Sequence, residues 1–185
     1  MSTPELLVLH AVRLLGFGDE AAIAARFELD PTLTHELLLD YQASGWVSWS
    51  EFAGLEGWSL TESGRAENER QLAVERPPVV KDVYEDFLPL NGRLQAACTN
   101  WQLRPTTTDL LAVNDHTDPV WDEQVVGELA AIGRELIPLV ARLTAVLPRF
   151  AGYDTRFTQA KDVETAHRVW FELHEDLIAT LGVRR

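Results

Sequence analysis

The chain has 185 residues with 46% hydrophobic content and six Trp, which is enough for a packed core and excludes a disordered polymer. Its net charge is −13, and residues 1–76 hold 5 Arg against 13 acids, so neither half is the basic domain typical of nucleic-acid binders. One Cys, no apolar run of transmembrane length and no signal-peptide layout lead us to expect a cytoplasmic protein without disulfides or membrane contact.

Cap signals predict three short helices in the first part of the chain. Thr3-Pro4-Glu5 places a cap residue, a proline and an acid where a helix starts. Asp19 can cap a second, alanine-rich helix, and Asp30-Pro31 repeats the arrangement for a third. Gly45 lies where a left-handed residue commonly ends a helix. These helices are expected over residues 4–16, 20–27 and 31–45.

After Gly45 the pattern changes from helical spacing to alternation, which predicts a β-hairpin. Its strands are expected over residues 46–52 and 57–60, joined by Ala53-Gly54-Leu55-Glu56. Thr61 then caps a fourth helix, which stops at Arg76-Pro77-Pro78. The double proline predicts a boundary between a domain of residues 1–76 and a second domain of residues 79–185.

Beyond the double proline the chain is expected to be wholly helical. Apolar residues recur there at alternating steps of three and four, a spacing that suits either antiparallel packing within the chain or a homodimer interface. The first seam comprises Val80, Val83, Phe87, Leu90, Leu94, Ala97 and Trp101, and the second comprises Val125, Leu129, Ile132, Leu136, Leu139, Leu143 and Val146. A last helix, over about residues 162–181, should direct Ala166, Trp170, Leu173 and Leu177 inward.

Three pieces of the first domain resemble winged helix-turn-helix transcriptional regulators, closest in style to the MarR-like and PadR-like groups. They are residues 20–26, residues 37–47 and Leu60-Thr61-Glu62-Ser63-Gly64-Arg65. In the family, the second piece ends the recognition helix and the third leaves the β-wing. The resemblance implies a mainly α fold with a small β-hairpin wing, in which a winged helix-turn-helix domain precedes an antiparallel helical domain. It also implies a homodimer that places two recognition helices in successive major grooves.

The local charge departs from the pattern of that family. No Lys or Arg occurs between Arg26 and Arg65, whereas seven acids do, and acids repel the phosphates that cations would neutralise. If DNA is the partner, its contacts are expected from Arg26, Thr32, Thr34, His35 and Arg65. Two functions follow. One is a DNA-binding transcriptional regulator controlled by a small-molecule effector. The other is a winged helix without DNA binding that serves as a protein-interaction or small-ligand-binding module. Residues 97–105, 114–116 and 169–177 loosely resemble a helical module linked to phosphoenolpyruvate-using phosphotransfer enzymes, and this resemblance implies that the module could be an accessory of such an enzyme.

The polar loop of residues 104–118 is either a solvated connector or part of a small-molecule cleft. The cleft would be lined by Trp101, Arg104, Asn114, His116 and Trp121. His167 and His174 lie two helical turns apart, but a metal would need a third ligand such as Asp115, so no metal or other cofactor is expected. Cys98 lies on an apolar helix face, and the chain has no hydrolase elbow or phosphate loop, so no enzymatic activity is expected.

Overall fold

The structure, a computed structural model, describes residues 2–52 and 54–183. It is mainly α-helical, with a two-stranded antiparallel hairpin within the described part of the chain, as the sequence predicts. The chain divides into two compact units. The first unit contains residues 1–77 and 174–185, and the second contains residues 78–173. The double proline thus lies at a division between units. Residues 174–185 group with the first unit, whereas the sequence predicts a second domain that includes them.

The first unit begins with three helices whose starts are fixed by local caps. They are α1 (Pro4–Leu15), α2 (Glu20–Arg26) and α3 (Pro31–Ala43). The side chains of Thr3, Asp19 and Asp30 each accept a hydrogen bond from a backbone N–H three residues further on. Gly45 follows α3 with a left-handed φ of 72°, the conformation that commonly ends a helix. The predicted helices and caps are confirmed.

The hairpin consists of β1 (Val47–Phe52) and β2 (Leu55–Leu60). Their register runs from Val47 opposite Leu60 to Phe52 opposite Leu55. The prediction that Leu55 and Glu56 belong to the connecting loop is wrong, because both lie in β2. Gly54 has a φ of 79°, and this left-handed conformation allows the chain to reverse over two residues. Ala53, which precedes Gly54 in the predicted loop, lies outside the described residues.

Helix α4 (Glu62–Leu72) starts against the end of α3 through a small set of polar contacts. The Thr61 hydroxyl accepts a hydrogen bond from the Gly64 N–H at 3.0 Å and donates one to the Gly45 carbonyl at 2.7 Å. A Cβ on Gly64 would collide with the Trp46 carbonyl oxygen, so only glycine fits there. The run from Thr61 to Gly64 is therefore explained by structural needs alone.

Two apolar clusters form the core of the first unit. The larger joins the first three helices to the hairpin and consists of Val8, Leu9, Ala11, Val12, Ile23, Leu38, Tyr41, Val47 and Trp58. In the smaller cluster, Leu6 and Leu72 pack on Ala179, which lies near the end of the last helix, α8 (Val163–Leu181). The last turn of α8 is therefore part of this core.

The second unit is built on a long helical pair, α5 (Pro78–Gln102) and α6 (Pro119–Thr144). The two helices are antiparallel, since Asp86 pairs with Arg142 at 2.6 Å and Arg93 pairs with Glu128 at 2.7 Å. A 3-10 turn (Pro148–Phe150) and α7 (Tyr153–Thr158), neither of which the sequence analysis identified, lead to α8.

The two apolar seams are buried within the single chain. Six of the seven residues of the first seam, Val80 to Ala97, are buried, and so are five of the second, with Leu129 half-buried and Val146 exposed. Packing between antiparallel helices of one chain is therefore the alternative that the structure adopts. The homodimer stays a prediction, and burial of the seams within one chain leaves them little exposed apolar area with which to form it.

Helix α8 turns its predicted apolar face inward. Ala166, Trp170, Leu173 and Leu177 are all buried, which confirms the prediction. In the second unit the Trp170 ring stacks on Phe87, with ring centroids 4.5 Å apart, and its indole N–H donates to the Asn91 side chain at 2.9 Å.

Candidate functional site

The exposed side of α3 carries only two of the three contact residues predicted on it. Thr32 and His35 are exposed, and the His35 Nδ1 lies 3.0 Å from a carboxylate oxygen of Glu20. Thr34 is fully buried, and its hydroxyl donates to the Asp30 carbonyl at 2.9 Å. Thr34 therefore cannot reach a nucleic acid, and its prediction as a contact residue is wrong.

The two predicted cationic contacts, Arg26 and Arg65, are both engaged within the first unit. The Arg26 guanidinium lies over the Phe27 ring, 4.6 Å from its centroid, and the side chain is half-buried. Arg65 pairs with the buried carboxylate of Glu175 at 3.2 Å. Both guanidinium groups are therefore engaged within the first unit, although 53% of the Arg65 side chain is exposed.

An acidic stripe, which we define as Glu36, Leu39 and Asp40, occupies the exposed side of α3. These residues are spaced at three and four, so they lie on one helix face, and all three are exposed. The hairpin adds acidity near its turn, where exposed Glu51 and Glu56 are register partners. Leu39 is 46% exposed, so the stripe combines two carboxylates with an apolar side chain.

A buried polar network in the first unit was not identified from the sequence. His10 is fully buried, with Nε2 3.0 Å from Asp176 Oδ1 and Nδ1 3.3 Å from Asn68 Oδ1. Arg13, one helical turn further along α1, donates to Glu175 at 2.9 Å. These contacts tie the end of α8 to α1 and α4, so the network is a structural tie. The only local sequence signal is a His and an Arg on an otherwise apolar helix.

In the second unit, three predicted cleft residues do meet. The Asn114 amide donates to the Trp101 carbonyl at 3.1 Å and to Asp122 at 2.8 Å. The His116 ring packs against Trp101, with centroids 4.5 Å apart, and His116 Nδ1 lies 3.0 Å from Asp122. The hydrogen bond from Asn114 and then that from His116 hold the pKa of Asp122 below its usual range. Asp122 was not predicted, although it links the other residues.

Arg104 and Trp121, the other predicted cleft residues, are held by separate contacts. Arg104 donates to Asp118 at 2.7 Å, and the indole N–H of Trp121 donates to the Asn100 carbonyl at 2.6 Å. His116 has a φ of 57°, which is unusual for a residue other than glycine and shows that the loop is tightly constrained. The polar groups of this loop therefore satisfy one another more than they present free donors to a ligand.

The ring of Trp101 also lines an open cavity of about 450 Å³ in the second unit. Residues of α6 and α7 and the start of α8 complete the walls. Of the five predicted cleft residues, Trp101 alone borders this cavity. Trp121 borders a different one, of about 290 Å³, together with Arg93 and Glu128.

The described residues give little support to a metal site, a membrane-spanning helix or a reactive cysteine. Within the described ranges, no three His, Cys, Asp or Glu side chains gather as a metal ion would require, and no helix is long and apolar enough to cross a membrane. Burial raises the pKa of the Cys98 thiol, which reduces its thiolate fraction. Comparison of the chain with protein-family models, curated proteins and solved structures finds no significant match.

Proposed function

We propose that the protein is a winged-helix protein-interaction module that does not bind DNA. Its first unit presents the acidic stripe to a cationic partner protein. The order of three helices, a hairpin and a fourth helix supports the winged helix. The observation that carries the function is the exposed side of α3, where Glu36 and Asp40 stand in place of cations.

Electrostatics decides between this function and DNA binding. Each phosphate contact gains from a cation that releases counterions, and the exposed positions of α3 provide none. Charge complementarity with a basic protein surface instead accelerates association and selects the partner. Leu39, between the two acids, adds an apolar contact at the centre of the stripe.

The DNA-binding regulator remains the second candidate, favoured by the order of the elements and the resemblance of the first unit. Electrophoretic or fluorescence assays on random duplex DNA distinguish the two functions. We expect no detectable binding at physiological salt, because few phosphates can be neutralised. Tight binding to random duplex that falls steeply with added salt would overturn our proposal.

Binding of a synthetic helical peptide made of Lys and Leu tests the interaction directly. A peptide made of Glu and Leu, which has the opposite charge, serves as the comparison. The protein should bind the cationic peptide. The double variant Glu36→Gln with Asp40→Asn should weaken that binding by about threefold to tenfold, as expected for two exposed charge pairs.

The matched control is Asp82→Asn with Glu123→Gln, which changes the net charge equally at two exposed positions of the second unit. It should leave the peptide affinity almost unchanged. Equal weakening by both double variants would show that net charge, and not the acidic stripe, attracts the peptide, and the proposal would then fail.

A further inference from the structure

The cavity beside Trp101 has the form of a preformed ligand site. Its volume of about 450 Å³ lies within the usual range for small-molecule pockets. Most of its walls are apolar and comprise Trp101, Val126, Leu129, Ala130, Phe157, Val163 and Ala166. Val126 is 54% exposed, so this part of the apolar wall is accessible to a ligand that enters the cavity.

The floor of this cavity is held in place by packing in the second unit. The Phe157 ring is buried against Trp170, with centroids 5.4 Å apart. Gly133 of α6 lets α7 approach closely, because a Cβ there would lie 3.0 Å from the Thr158 side chain. A ligand would therefore meet a wall that is already shaped, which lowers the cost of binding.

One charged group at the rim points to the chemistry of the ligand. Lys161 lines the cavity and is exposed. The neighbouring Asp162 also lines the cavity, and its carboxylate accepts a hydrogen bond from the Thr165 N–H at 2.6 Å. Hydrogen bonds from Thr165, followed by the charges of Arg168 and Lys161, lower the pKa of Asp162. Lys161 is thus the cation that lines the cavity, and no direct ion pair holds its ammonium within the described part of the chain.

We infer that this cavity binds a small apolar monoanion, such as an alkyl or aryl carboxylate, with its apolar body against Phe157 and Val126 and its anionic group beside Lys161. An apolar body suits the walls, and a single negative charge suits one unpaired ammonium. The inference concerns the second unit alone. It stands or falls independently of the interaction proposed for the first unit.

Fluorescence titration with 8-anilinonaphthalene-1-sulfonate, itself an apolar monoanion, provides the assay. We expect saturable binding of one probe per chain, displaced by octanoate and not by octylammonium, which has the same chain and the opposite charge. The variant Lys161→Gln should weaken octanoate binding by about threefold to tenfold, the effect of one partly exposed charge pair.

Two further variants make the test specific. Lys81→Gln removes the other lysine of the chain, which is exposed on α5 and lies 3.8 Å from Glu85, and it should leave octanoate binding unchanged. Ala130→Trp places a large ring in the cavity from an exposed helix position and should abolish binding while the circular dichroism spectrum is preserved. Full binding to Ala130→Trp, equal losses in both lysine variants, or displacement by octylammonium would each overturn the inference.

Discussion

Helix α4 can begin where it does because Gly64 has no Cβ and therefore fits against the Trp46 carbonyl. Gly64→Ala should lower the free energy of unfolding by about 1–3 kcal/mol, since the added methyl group must displace backbone. Gly92→Ala is the control, because Gly92 is exposed within α5 and has nothing within 4 Å of an added Cβ. That change should stabilise the helix by about 0.5–1 kcal/mol. Urea denaturation checks both, and equal stability of the Gly64→Ala protein and the natural chain would contradict the assigned close contact.

The buried side chain of Asp176 bears on a different contact at the residue scale. Its carboxylate is fully buried within hydrogen-bond distance of His10 and Thr180, so Asp176→Asn retains the shape but replaces one carboxylate oxygen by an amide group. We expect a loss of about 1–3 kcal/mol in the free energy of unfolding, because a buried hydrogen-bonding group loses its partner. Arg168→Gln breaks an exposed pair with Glu164 and should leave the urea midpoint unchanged. Similar midpoints for the two variants would show that the buried network contributes little.

At the scale of elements, a hydrogen bond from the Tyr41 hydroxyl to the Glu5 carbonyl, 2.7 Å long, ties α3 to α1. Burial, followed by the charge of Glu5, raises the pKa of Tyr41. A raised folded-state pKa means that the stability from this group is complete below the unfolded-state pKa of about 10 and is lost as pH rises above it. Tyr41→Phe should cost about 1 kcal/mol at pH 7, and the difference from the natural chain should shrink above about pH 10. A difference that stays constant between pH 7 and pH 11 in urea titrations would contradict this assignment.

The same elements show which features a sequence can predict. Asp19, Asp30 and Thr61 cap helices through contacts three residues away, so their signals are local and were identified correctly. The His10 to Asp176 contact joins residues 166 apart, and no local pattern encodes such a pairing. Thr34 illustrates the same limit, because its spacing places it on α3 while only the packed core decides that it faces inward.

The candidate site was predicted in part for a related reason. The loop residues Asn114 and His116 are close in sequence to each other and to Asp122, and their clustering follows from local turns. The walls of the larger cavity come from α6, α7 and α8. Because α7 was not predicted, neither Phe157 of α7 nor Lys161, which lies between α7 and α8, could be placed beside Trp101 from the sequence.

At the scale of the whole molecule, the net charge and the burial of the apolar seams both affect whether copies of the chain associate. The chain carries a net charge of −13, and this charge opposes association of identical copies at low salt. The heptad-like seams that suggested a homodimer are buried between α5 and α6 of one chain. We therefore expect light scattering at micromolar concentration to give the mass of one chain, 20.8 kDa. The measurement should be repeated at high salt, where screening removes most of the repulsion between copies and leaves apolar attraction as the main drive for pairing. A single-chain mass under both conditions would show that the apolar seams are satisfied internally, whereas a stable dimer would require an interface other than these seams.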